Sequence, residues 1–353
     1  MDVRSRRVAW ALGALALVVP LGVVLARGGG GDDGEGGPTD GPPSTGASLT
    51  TFPLLGTAGD APDRPALAVK LDNTSSGRPQ SGLDGADVVV EEVVEGGLTR
   101  LLAVFHSQVP DTVGPVRSAR STDIPLLAEL GRPLFAWSGA NPTFAAAVHA
   151  ADLVDVGAAA APDAYRRSDD RSAPYNLYAS PELLWAAGEA SDPDAGPPDA
   201  LFTYRAAGAA LPPDAEPAGG FAANGGDGLA TDVRWTWDGT SDQWARAQDG
   251  TAHVDADGTQ AHATNVVVRF TPYRDSGVRD STGAVVPEAA SVGEGDAWLL
   301  TDGHLRRGRW HKADAEAPTT YTALDGSALE LTPGPTWVEI LPPGSGDVVA
   351  SEP

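Results

Sequence analysis

Ala86-Asp-Val-Val-Val-Glu-Glu-Val-Val-Glu-Gly-Gly-Leu-Thr-Arg-Leu-Leu-Ala-Val-Phe105 is the stretch on which the fold turns. Two runs of β-branched and aliphatic residues flank Gly96-Gly97, the pattern of an antiparallel hairpin. A two-residue turn at the glycines would set Glu95 against Leu98 and fix the register. Asp87 then lies opposite His106, and Arg100 opposite Val93 with Glu91 and Glu95 on its diagonals. One face carries Asp87, Glu91, Glu95, Arg100 and His106. The other carries Val88, Val90, Val94, Leu101, Ala103 and Phe105, with Glu92 as the exception. The charged face reads either as a functional cleft or as a solvated sheet face with cross-strand ion pairs.

Around this hairpin the sequence predicts strands over 66–72 and 134–138, and helices over 126–130, 143–151 and from Pro181. Asn141-Pro142 and Ser180-Pro181 supply an N-cap followed by proline in the first helical position. Residues 52–190 therefore read as a mixed α/β or α+β domain. A Pro/Gly-rich connection over 191–229 follows, with one short strand candidate at 201–205. Residues 230–345 read as a β-rich domain, with strands over 233–237, 264–270, 297–301, 305–310, 319–323, 328–331 and 336–341 separated by Asp-Gly turns. Residues 346–353 read as a tail.

The N-terminus sets the expected compartment. Arg4, Arg6 and Arg7 precede an uncharged apolar run from Val8 to Ala26, long enough to cross a bilayer as a helix. The basic flank belongs inside and the rest of the chain outside. Residues 1–27 are thus a signal anchor or a signal peptide, the latter with a small-residue cleavage site near Ala26. Residues 28–51 are an acidic Gly/Pro linker expected to be disordered, holding the domains roughly 25–30 Å from the membrane.

Composition narrows the partners. The net charge is −24 over 353 residues, which excludes duplex nucleic acid as a natural partner because phosphate binding needs dense Lys and Arg. There is no cysteine, so disulfides, thiol catalysis and a lipid-modified N-terminal cysteine are all excluded. Serine-hydrolase elbows, Walker loops and His-Glu-x-x-His are missing. His253-Val-Asp255 is a weak metal signal that reads far better as a loop pair, and no metal or cofactor is expected. The tryptophans of the second half, Trp235 to Trp337, can form a sugar platform but at strand spacing fit a core.

Against this acidity several arginines stand in turns. Arg117 and Arg120 lie three apart in Gly114-Pro-Val-Arg-Ser-Ala-Arg120, and Arg78 and Arg171 occupy other loops. Guanidinium forks suit phosphate or carboxylate. The expected ligand site comprises Arg78, Glu91, Glu95, Arg100, Arg117, Arg120, Arg171 and Asn176, unless these arginines pair internally with carboxylates.

The same motifs carry a resemblance. Arg64-Pro-Ala-Leu-Ala-Val69, Arg78-Pro-Gln-Ser-Gly82, the hairpin itself, Gly114 to Arg120 and Pro174-Tyr-Asn-Leu-Tyr178 resemble the N-terminal domain of the YerB-like lipoprotein family (DUF 3048). His253-Val-Asp255, Asn265-Val-Val-Val268, Gly293 to Trp298, Gly308-Arg-Trp310 and Leu331 to Val338 resemble its C-terminal domain. The resemblance implies an envelope protein of unknown activity, and it covers nearly everything after residue 52. Two departures are visible: no lipobox cysteine is present, and Tyr175 stands where the family usually has histidine. The expected function is a membrane-tethered, extracytoplasmic protein binding an anionic envelope component or protein partner. The alternative is a phosphoryl- or glycan-transfer enzyme of cell-wall assembly with Glu91 or Asp87 as catalytic carboxylate. A similarity of Asp87, Arg117 and Arg120 to the pyrophosphate-holding residues of LytR-CpsA-Psr ligases is the basis of that alternative.

Overall fold

The computed structural model describes residues 50–223, 229–280 and 282–351. The expected anchor at 1–27 and nearly all of the linker at 28–51 lie outside the described residues. Among the described residues no helix is long and apolar enough to cross a membrane.

The expected characters of the two halves hold. The α-helices, Asp123–Leu127, Pro142–Ala150 and Pro181–Ser191, all precede residue 192, and the described chain beyond them is β-rich. Asn141 caps the second helix by accepting from the Thr143 amide, with Pro142 at its first position. What the sequence did not disclose is the joint between the halves. One large sheet runs through both, in the order 320–323, 304–312, 293–301, 265–270, 336–341, 88–93, 99–105, 67–72, 134–136 and 154–155. Thr336–Leu341, from the second half, pairs in parallel with Val88–Val93 on one side and Asn265–Phe270 on the other. A second, antiparallel sheet comprises 251–252, 243–248, 233–238, 220–223 and 347–349, with 262–263 beside 243–248. Its last strand comes from residues expected to be a tail. The expected strand at 328–331 is absent, leaving isolated bridges at Ala328 and Leu331.

The hairpin register departs from the expected one. Val93 pairs with Thr99, Glu92 with Arg100 and Glu91 with Leu101. The loop has three residues, Glu95–Gly97, with Gly96 and Gly97 both at positive φ, rather than two. A loop one residue longer slips the pairing by one, which changes which side chains share a face. Glu91 therefore lies on the face opposite Arg100.

Both faces of the central strands are buried, so the charged-out, apolar-in division does not hold. One face, with Val89, Leu101, Ala103 and Phe105, packs under the helix at 181–191 and the tryptophans of the second sheet. The other, with Val88, Val90, Leu102 and Val104, packs under Leu126, Leu127, Leu130 and Val148. Trp235, Trp244, Trp310 and Trp337 are core residues rather than a sugar platform.

Candidate functional site

The ends of three neighbouring strands bring Asp72, Arg100 and Glu92 into one row on the helix-covered face, because Arg100 is the register partner of both carboxylates. Neither carboxylate pairs with it. Glu92 turns down to Lys70, 2.5 Å away, and Lys70 also meets Asp123 at 2.7 Å in a triad closed to solvent. Asp72 takes the Arg117 guanidinium at 2.6 Å. Arg100 is left with one backbone bond, donated to the Ser118 carbonyl at 2.8 Å, and no ion-pair partner among the described residues.

The segment after Gly114-Pro115 folds over this row and delivers two more guanidiniums. Arg120 pairs with Glu95 at 2.6 Å and donates to the carbonyls of Ala119 and Ser118. Arg100 and Arg120 thus share the Ser118 oxygen. Burial, then the neighbouring Arg120 and Arg117 charges, push Arg100 down to about 10, so it remains a cation at neutral pH. The three arginines line one cleft of ≈ 880 Å³. At its base Arg100, Arg117 and Arg120 stand against Asp72 and Glu95, and Arg279, paired with Asp275, and Asp280 lie on the facing hairpin.

Of the expected site residues, the structure brings Glu95, Arg100, Arg117 and Arg120 together in this cleft. The others lie elsewhere. Arg78 pairs with Asp249 and lines a separate cavity beside His253. Arg171 is a loop strut, donating to the carbonyls of Gly77 and Pro79. Asn176 binds Arg167 and the Ser168 carbonyl within its own hairpin.

The two candidate catalytic carboxylates are also withdrawn from the cleft. Asp87 is buried, receiving the amides of His106 and Ser107 and the Ser107 hydroxyl, and is not with Arg117 and Arg120. Glu91 is buried on the opposite face against Arg246 at 2.5 Å, with Asn73 donating to it at 2.9 Å. That network extends through the His253 ring, held between Arg246 Nη1 at 2.5 Å and Gln80 Oε1 at 2.8 Å. Burial and the Arg246 charge hold His253 well below its ordinary value, so it is a neutral core histidine. No cluster of three or more metal-ligating side chains occurs among the described residues.

Several cleft residues escaped the sequence reading. Asp72 and Asn141 line it, and Arg279 enters from the hairpin at 273–289 of the second half. Tyr175 lies beneath the Arg117 guanidinium, 5.3 Å from carbon to ring centre. The resemblance implied histidine at this position, so the departure noted in the sequence falls in the cleft wall.

Comparison with known proteins agrees with this architecture. Residues 54–194 match the N-terminal domain, and residues 227–338 the C-terminal domain, of the family described as protein of unknown function DUF3048. The chain is 28% identical over 312 residues to "Putative lipoprotein YerB" of Bacillus subtilis (strain 168), covering 86% of this chain and 89% of that protein. The crystal structure of YerB protein from Bacillus subtilis superposes with a TM-score of 0.73 at 24% identity, covering 85% of this chain and 99% of the other. The chain belongs to the DUF3048 family of YerB-like proteins.

Proposed function

We propose that this protein works outside the cytoplasmic membrane, tethered through its N-terminal apolar run, and binds an anionic ligand of phosphate type in the Arg100–Arg117–Arg120 cleft. The observation that carries the reading is Arg100. It is a buried cation whose two register-paired carboxylates are engaged by other bases, and it faces an open cleft. A guanidinium held this way is preorganised, and a bound oxyanion replaces the counterion it lacks. The relative named a lipoprotein supports the envelope location.

The test is calorimetric titration of the full-length protein with inorganic pyrophosphate. Arg117→Lys with Arg120→Lys keeps the charge but removes two forks, and should weaken binding about tenfold or more, since charge-assisted bonds are worth roughly 1.5–3 kcal/mol each. Unchanged affinity in the double variant, or no binding by the parent at millimolar pyrophosphate, would refute the reading.

A further inference from the structure

The walls of the same cleft narrow the chemistry of its ligand. Its cations are deep: Arg100 and Arg120 are buried and share the Ser118 carbonyl, and Arg117 is 15% exposed on Asp72. Around them the lining is mixed: Leu98, Pro174 and Tyr175 offer apolar surface, with Val94, Phe144 and Val286 buried behind it, while Thr74, Thr99, Asn141, Asp280 and Thr282 are polar. Leu98 sits at the rim on the hairpin tip, 40% exposed, and Val285, 44% exposed, adjoins Val286 on the facing hairpin. A ligand that is only an anion would use the base of this cleft and leave Leu98, Pro174 and Tyr175 wet.

We infer that the cleft takes an amphiphilic phosphate, a lipid with its phosphoryl group on the arginines and its chain along Leu98, Pro174 and Tyr175. This rests on the anion-site reading above. A peptide suits the cleft less well. Strands 67–72, 88–93 and 99–105 are interior to the sheet, so the arginine-bearing base of the cleft offers no free strand edge for backbone pairing. A membrane, to which the apolar run at 8–26 is read as tethering the chain, is a source of such a lipid.

The experiment uses the full-length protein in phosphatidylcholine nanodiscs, titrated with dihexanoyl phosphatidic acid, glycerol 3-phosphate and dihexanoyl phosphatidylcholine. The short-chain phosphatidic acid should bind at least tenfold more tightly than glycerol 3-phosphate, and the phosphatidylcholine should not compete. Leu98→Ser, at an exposed position, should lower affinity for the short-chain phosphatidic acid several-fold more than affinity for glycerol 3-phosphate. If glycerol 3-phosphate binds and the lipid phosphate binds no more tightly, the inference falls while the anion site stands. The inference equally fails if Leu98→Ser leaves the advantage intact, or if phosphatidylcholine binds as well as phosphatidic acid. If neither phosphate binds, both readings fall.

Discussion

Glu339 and Glu91 are direct register partners on parallel strands, both buried, and share one nearby guanidinium. Arg246 reaches Glu91 at 2.5 Å and Glu339 only at 3.8 Å, while Trp235 Nε1 donates to Glu339 at 2.8 Å. Burial first, then the adjacent Glu91, push Glu339 up to about 8 from a usual value of 4.5. Because the folded value exceeds the unfolded one, the associated stability is complete below pH 4.5 and is lost as pH rises through about 8. At about 1.4 kcal/mol per pKa unit the full shift corresponds to a loss of up to ~5 kcal/mol by pH 9.

Glu339→Gln keeps the shape and the acceptor for Trp235 but cannot ionise. Urea unfolding followed by tryptophan fluorescence at pH 5, 7 and 9 should therefore give nearly equal stabilities for the two proteins at pH 5. At pH 9 the variant should be more stable by about 2–4 kcal/mol. Other raised carboxyls, such as Asp255 at about 6, tilt both curves alike and cancel in the difference. A difference between parent and variant that stays constant from pH 5 to pH 9 would refute the reasoning.

Lys70→Met strips the cation from Glu92 and Asp123 in a sealed triad and should cost about 3–5 kcal/mol at pH 7 by calorimetry. Adding Glu92→Gln to that variant should restore at least half of the loss, which a simple packing defect would not allow. Gly114→Ala should lower stability by about 2–3 kcal/mol in thermal melts. Its new Cβ would lie 2.5 Å from the Tyr178 ring and 3.0 Å from the Leu177 carbonyl oxygen.

The strands and helices near the site were legible because their signals are local. Runs of β-branched and aliphatic residues, Asn141-Pro142 and Ser180-Pro181 act within a few residues, and each marks an element the structure contains. The hairpin register was not, since Gly96-Gly97 serves a three-residue loop as readily as a two-residue one. The buried charges were misread for a related reason. Charged residues are normally exposed, and Glu91 finds its arginine 155 positions along the chain. One local clue did exist: Lys70, within the apolar run Ala66–Asp72, demands a buried carboxylate wherever that run is interior. The parallel contact between 88–93 and 336–341 joins segments from opposite ends of the folded chain, and no short-range pattern specifies it.

The consecutive Glu91 and Glu92 connect these features. A period of two sends one to each face of the strand, and because both faces are buried, each must find a cation or lose its charge. Glu92 finds Lys70 within the first half, whereas Glu91 finds Arg246 only in the second. Without the second half, Val88–Val93 would be an unpaired edge carrying a carboxylate stripped of its counterion, a defect of several kcal/mol. The two family domains therefore share one sheet and its buried ion pairs, and among the described residues they form a single compact unit. The same commitment accounts for the cleft. With Glu92 held by Lys70 and Asp72 by Arg117, the strand pairing sets Arg100 between two carboxylates that are already occupied, and it has no ion-pair partner among the described residues.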